Sequence, residues 1–232
     1  AGGVFFVSTL GSVVGVLVTA FGLIPYVSNF SATLAVALLL ALLSAAIAAR
    51  PPAPMPARGG LALAAAGATL AAALMLWLAD AYIGRMWPAN FGGRTWQMEA
   101  RMSSLFGTVK ILHSTPDSDG RFARLYFQDG LVQNTVGSDG RSLSFYTYAL
   151  EALAYAFHPR PESALVLGLG AGIVPMRLAS RGVAVEAVEI DPASLAAATR
   201  FFGFDASRVR VHLADARTQL KRCGRGYDVI VV

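Results

Sequence analysis

The chain has 232 residues, 55% hydrophobic and only 14% charged, with 19 Lys/Arg against 14 Asp/Glu and a net charge of +5. That composition is too apolar for an ordinary soluble domain, and the single cysteine, Cys223, excludes an internal disulfide framework and a cysteine-based zinc site. The arginines are spread thinly (Arg85, Arg94, Arg101, Arg121, Arg124, Arg141), with no basic run or aromatic-interleaved stripe, which argues against a nucleic-acid partner.

Up to Gly84 the only charged side chains are Arg50, Arg58 and Asp80. Three apolar runs fill this stretch, Val4–Val27, Phe30–Ala49 and Leu61–Ala79. Each has about the 20 residues a helix needs to cross a bilayer core. Pro25 closes the first run and Pro51 with Pro52 the second, where they stop a helix without breaking one. Between the second and third runs the segment 50–60 is a Pro-rich connector too polar to span. Trp77, Tyr82 and Trp87 cluster at the end of the third run like an interfacial aromatic belt. Buried helices of a soluble core would show a polar face, and these runs have none. Residues 1–84 are therefore expected to form a transmembrane helical region with three spans, 4–27, 30–49 and 61–79. Gly11 with Gly15, and Ala64, Ala68 and Ala72, provide small-residue steps for close helix packing in lipid. No ionisable group lies at a span centre, so no proton relay or ion path is indicated.

Residues 85–142 read as a small antiparallel β-sheet subdomain. From Trp96 to Val136 the pattern is strand-like, clearest at Phe106–Leu112 and Phe122–Phe127 around a polar turn at Pro116–Gly120. Asp129-Gly130 signals a tight turn into Leu131–Thr135. The run Leu143–Phe157 has helical length and periodicity and stops at Pro159 and Pro161. The three histidines, His113, His158 and His212, lack metal-ligand spacing and read as structural; no metal is expected.

From residue 143 to 232 the chain alternates strand and helix. The expected order is strand Ala164–Leu167, helix Val174–Ser180, strand Val183–Glu189, helix Pro192–Phe201, strand Val209–Leu213, helix Ala216–Lys221 and strand Tyr227–Val232. Such alternation predicts a parallel sheet covered on both faces. Directly after its first strand comes Gly168-Leu169-Gly170-Ala171-Gly172. Glycines there let the backbone turn sharply and let a ligand approach where a Cβ would collide. Glu189 ends the second strand, where a carboxylate accepts hydrogen bonds from ribose hydroxyls, and Asp215 ends the third, beside an adenine edge. Ligands of open α/β sheets bind at these strand ends. The three features converge on an adenosine-containing ligand.

These residues resemble the spermidine synthase-like (polyamine aminopropyltransferase) family, specifically its transmembrane-fused members. The resemblance spans almost the whole chain. It is carried by 7–25 in the membrane half, by Gln128–Thr135 (QDGLVQNT), and by four segments in the family's order: Ala164–Gly172 (ALVLGLGAG), Val188–Pro192 (VEIDP), Ala214–Arg217 (ADAR) and Tyr227–Val232 (YDVIVV). It implies N-terminal transmembrane helices, then a small antiparallel β-sheet and an α/β Rossmann-like S-adenosylmethionine-dependent transferase domain. It also implies a reaction, transfer of an aminopropyl group from decarboxylated S-adenosylmethionine to an amine. In that picture Gly168, Gly170 and Gly172 cradle the co-substrate, Glu189 holds the ribose, and Asp215 with Ala216 holds the adenine. Gln133 lines the co-substrate side and Tyr146 the amine site. The family's general base, an Asp, follows the last strand. It would lie after Val232, so the chain is expected to continue there, as it is before residue 1.

Three positions depart from the family pattern. The family's Gly-Gly-Gly-Asp-Gly turn is Gly-Leu-Gly-Ala-Gly here, so Ala171 replaces an Asp that holds the aminopropyl amine. Thr147 stands where His or Gln is common, and Gly107 replaces a Gln of the sheet. A methyltransferase using intact S-adenosylmethionine is the second enzyme reading, and a non-catalytic membrane sensor or transport accessory that binds adenosyl ligands or polyamines is a third. The partners expected are a small amine or polyamine and the lipid bilayer, with room for a homodimer. A multi-pass protein of the inner cell membrane is expected, its nucleotide-binding domain in the cytoplasm where such co-substrates are made.

Overall fold

The computed structural model describes residues 2–49 and 58–232, in two compact units, Ala1–Trp87 and Pro88–Val232. Most of the expected Pro-rich connector, 50–57, lies outside the described residues. The first unit holds α1 (Gly2–Leu17), which runs on as a π-helical turn at Val18–Leu23, then α2 (Asn29–Ala49) and α3 (Arg58–Arg85). The π-turn precedes Pro25, and the Ile24 N–H there reaches back five residues to the Thr19 carbonyl at 3.0 Å. Ser28 starts α2 by accepting the Ser31 N–H at 3.0 Å, satisfying one donor a helix N-terminus leaves free. Helix α3 continues through Gly84 to Arg85, so the unit ends at Trp87 rather than at the expected Gly84.

Three helical stretches of this unit, Gly2–Leu23, Phe30–Ile47 and Ala62–Ala79, are long and apolar enough to cross a membrane, with mean hydropathies of 2.2, 2.4 and 2.0. Helix α1 buries no residue, and the space beside Gly11 and Gly15 is open, so that small-residue step is not a helix contact here. Phe30 of α2 and Tyr82 of α3 stack at 5.5 Å.

The second unit opens with a five-stranded antiparallel meander: β1 (Ala89–Phe91), β2 (Arg94–Ser104), β3 (Gly107–Ser114), β4 (Ala123–Gln128) and β5 (Leu131–Gly137). It starts before the expected Trp96. After α4 (Phe145–Phe157) come β6 (Ser163–Leu167), α5 (Ile173–Ser180), β7 (Ala184–Glu189), α6 (Pro192–Phe201), β8 (Val209–Leu213), α7 (Ala216–Arg222) and β9 (Val229–Val231). The four later strands form a parallel sheet in the order β8-β7-β6-β9, the Rossmann-like arrangement in which the first strand of the series is central. Strand β9 is shorter than expected. The Asp228 carboxylate accepts the N–H groups of Glu162 and Ser163 at 2.8 and 2.9 Å, while the Tyr227 hydroxyl turns to Glu186 at 3.2 Å.

No boundary falls at residue 142, because the antiparallel sheet and the α/β layers share a core. Val109, Ile111 and Tyr126 of β3 and β4 pack on Ala171, Ala197 and Phe202. The Tyr126 hydroxyl and the Ser194 hydroxyl of α6 lie 2.7 Å apart. Each layer thus contributes one wall to the space above the ends of β6 and β7.

Candidate functional site

The turn between β6 and α5 is built by three left-handed glycines, Gly168 (φ +91°), Gly170 (φ +54°) and Gly172 (φ +74°). Side chains other than hydrogen rarely adopt such angles. The glycines divide in purpose. A Cβ on Gly172 would sit 2.6 Å from the buried Phe204 ring, so this glycine lets α5 pack. Beside Gly168 and Gly170 there is open space, and both line a cavity of about 410 Å³. That volume falls in the range of small-molecule sites.

Glu189, at the end of β7 and 8% exposed, forms the cavity's floor beside Ile190 and Asp191. Its two carboxylate oxygens accept the Leu169 N–H and the Asp191 N–H, both at 2.8 Å. The side chain is therefore a strut inside the Gly-rich turn as well as a wall of the cavity. Each oxygen keeps a second lone pair. Asp191 caps α6, accepting the Ala193 N–H at 2.8 Å, and its other oxygen is buried without a protein partner.

The facing wall comes from the antiparallel sheet and the start of α4: Phe106, Tyr126, Gln128, Gln133 and Tyr146. Gln133 reaches it through a β-bulge. Tyr126 pairs with Asn134 and Phe127 with Val132, which leaves Gln133 as the extra residue on β5. Bulges re-aim side chains in this way beside sites. Tyr146 accepts a hydrogen bond from the Asn134 amide at 3.3 Å, and burial raises its phenol pKa. Burial likewise pushes the Tyr126 phenol up to about 12, against the opposing hydrogen bond from Ser194.

The structure thus brings Gly168, Gly170, Glu189, Gln133 and Tyr146 into one cavity. It leaves Gly172, Asp215 and Ala216 out of the lining. Asp215 is exposed and caps α7, accepting from the Thr218 hydroxyl at 2.7 Å and the Thr218 N–H at 3.1 Å. Those hydrogen bonds hold its carboxyl below the usual range. Ala216 is the first residue of α7. The segment still abuts the site, since the Ala214 N–H donates to the Glu189 carbonyl at 2.9 Å.

Of the three departing positions, none lines the cavity. Thr147 is fully buried and donates its hydroxyl hydrogen to the Ser144 carbonyl at 2.9 Å. Gly107 (φ +126°) opens β3, where a Cβ would collide with the Asp129 carboxylate. Ala171 is buried in the shared core. Sequence reasoning missed Phe106, Tyr126, Gln128, Ile190, Asp191 and Ser194 as cavity residues; they come from a turn, two strand segments and a helix start whose approach is set by tertiary packing. Asp191 alone carried a local signal, an N-cap acid before Pro192. Among the described residues no cluster of three or more His, Cys, Asp or Glu could hold a metal ion.

No family model matches the chain. The polyamine aminopropyltransferase of Vibrio vulnificus (strain CMCP6) is 40% identical over 95 residues, covering 38% of this chain and 32% of that protein. The eEF1A lysine and N-terminal methyltransferase of Homo sapiens is 39% identical over 80 residues, covering 31% of this chain and 11% of that protein. Over these segments the chain is homologous to transferases. It spans about a third or less of the length of these curated relatives. Among solved structures, human methyltransferase-like protein 13 in complex with SAH is 35% identical, covering 37% of this chain and 43% of that chain with a TM-score of 0.29.

Proposed function

We propose that the second unit is an S-adenosylmethionine-type transferase domain and that the first unit anchors it in a membrane. The observation that carries the reading is the single cavity in which the left-handed Gly168 and Gly170 meet Glu189 on one side and Gln133 with Tyr146 on the other. The fit is chemical as well as spatial. Two glycines without neighbours allow close approach of a ligand, and the fixed Glu189 carboxylate has lone pairs left for ribose hydroxyls. Asp215 and Ala216 would reach the adenine edge only from beside the cavity.

The leading reading is aminopropyl transfer from decarboxylated S-adenosylmethionine. The lone pair of a neutral amine nitrogen attacks the carbon next to the sulfonium. A C–N bond forms, the C–S bond breaks, and its electron pair makes the sulfur of methylthioadenosine neutral. The nitrogen then releases one proton to water. Similarity to the Vibrio vulnificus aminopropyltransferase supports this reading. Methyl transfer from intact S-adenosylmethionine is the second, supported by the human methyltransferase match. The three long apolar helices support a multi-pass position in the inner membrane, and the co-substrate's origin supports a cytoplasmic second unit.

Product analysis separates the two chemistries. The protein, supplied in turn with each co-substrate and a panel of amines, is expected to release methylthioadenosine from the decarboxylated form. Release of S-adenosylhomocysteine alone would make it a methyltransferase, and release of neither would remove the transferase reading.

A further inference from the structure

A second cavity, of about 300 Å³, is lined by one face of α4 and the end of α5 and shares no lining residue with the first. Tyr148, Glu151, Ala152 and Tyr155 fall at the three- and four-residue spacing that puts side chains on one side of a helix. Arg177 of α5 and Arg181 just after it complete the walls. Glu151 is 4% exposed and takes both arginines. One of its carboxylate oxygens is held by the Nε and an Nη of Arg177, and the other lies 2.7 Å from the Nε of Arg181. The guanidiniums also lie over the tyrosine rings of α4, Arg177 over Tyr148 at 4.4 Å and Arg181 over Tyr155 at 5.1 Å. Ion pair and ring together fix each guanidinium in place before any ligand arrives.

These walls have donors and charge left over. Two guanidiniums meet one carboxylate, so one positive charge is uncompensated among the lining residues. The second Nη of Arg177 and both Nη groups of Arg181 have no acceptor among the described residues. The Tyr148 hydroxyl donates to the Ser142 carbonyl at 2.8 Å, whereas the Tyr155 hydroxyl is buried and makes no hydrogen bond. Buried hydroxyls are nearly always paired. A surplus cation with several free N–H groups and an unpaired phenol suits an anion that offers several acceptor oxygens at once. Guanidinium pairs bind phosphate in this way.

We propose that this cavity binds a phosphate group, carried by a small soluble ester or by a lipid headgroup, between Arg177 and Arg181 with the Tyr155 hydroxyl as a further donor. Calorimetric titration of the whole chain, in neutral detergent at constant ionic strength, with inorganic phosphate tests it. Saturable binding at one site per chain is expected. Arg181, the more exposed of the two arginines, is the one whose loss disturbs the fold less. Arg181→Gln is expected to weaken phosphate binding about tenfold or more. Tyr155→Phe removes no hydrogen bond of the free protein, so it is expected to weaken binding severalfold without lowering the unfolding midpoint. Phosphatidic acid added to the micelles is expected to displace phosphate if the occupant is a headgroup, and to leave it bound if the occupant is a soluble ester. Absence of saturable binding below about 10 mM phosphate, or an affinity that either substitution leaves unchanged, overturns the proposal.

Discussion

Glu189 is held from two sides, by the Leu169 N–H of the Gly-rich turn and by its own neighbour's N–H at Asp191. Its position at a strand end is readable in the sequence; its second duty is not, because the donor lies twenty residues earlier and arrives only when β6 and β7 pair. Removing the carboxylate leaves two N–H groups, enclosed by the fold, without acceptors. Such groups cost about 1–3 kcal/mol each. Glu189→Ala is therefore expected to lower stability by about 3 kcal/mol even without ligand, measured by urea unfolding. An unchanged unfolding midpoint would show that the turn holds itself and that Glu189 serves ligand alone. Asp215, the other strand-end acid, also has a local role: one of its carboxylate oxygens accepts from Thr218 of its own helix. An N-cap three residues before a Thr carries that signal locally.

At the scale of elements, the α/β half was the most legible. Helix α6 and strand β8 have the bounds their residues predict, because Asp191-Pro192 marks a helix start and Val209–Leu213 is a short run dense in β-branched residues. Strand β2 alternates Trp96, Met98, Ala100 and Met102 with polar residues, but the alternation is weak and a bulge at Glu99 interrupts its pairing. The ends of β9 were illegible for another reason, since the side chains of Tyr227 and Asp228 leave the strand for partners distant in sequence. The Gly-rich turn hides a division of labour that substitution should expose. Gly172→Ala forces a left-handed alanine against Phe204, itself 3% exposed, and is expected to cost about 2 kcal/mol or more. Gly168→Ala meets no neighbour within 4 Å and is expected to cost only the backbone strain, about 1–2 kcal/mol. Equal losses in a denaturation series would contradict the assignment of Gly172 to packing.

For the whole molecule, the division into a charge-poor N-terminal stretch and a charged remainder was plain from composition, and the boundary at Trp87 lies three residues beyond Gly84. The cavity was only half legible. Its α/β wall follows from motif spacing, whereas its sheet wall depends on how Tyr126 and Phe106 are carried over the ends of β6 and β7. The central claim is that these walls enclose an adenosyl ligand. Titration calorimetry of the protein with S-adenosylhomocysteine and with methylthioadenosine, repeated with Gln133→Ala and Tyr146→Ala, tests it most directly. The account predicts one site per chain, with affinity falling about tenfold or more when the Gln133 side chain is removed. Absence of binding by both ligands, or binding indifferent to both substitutions, would contradict it.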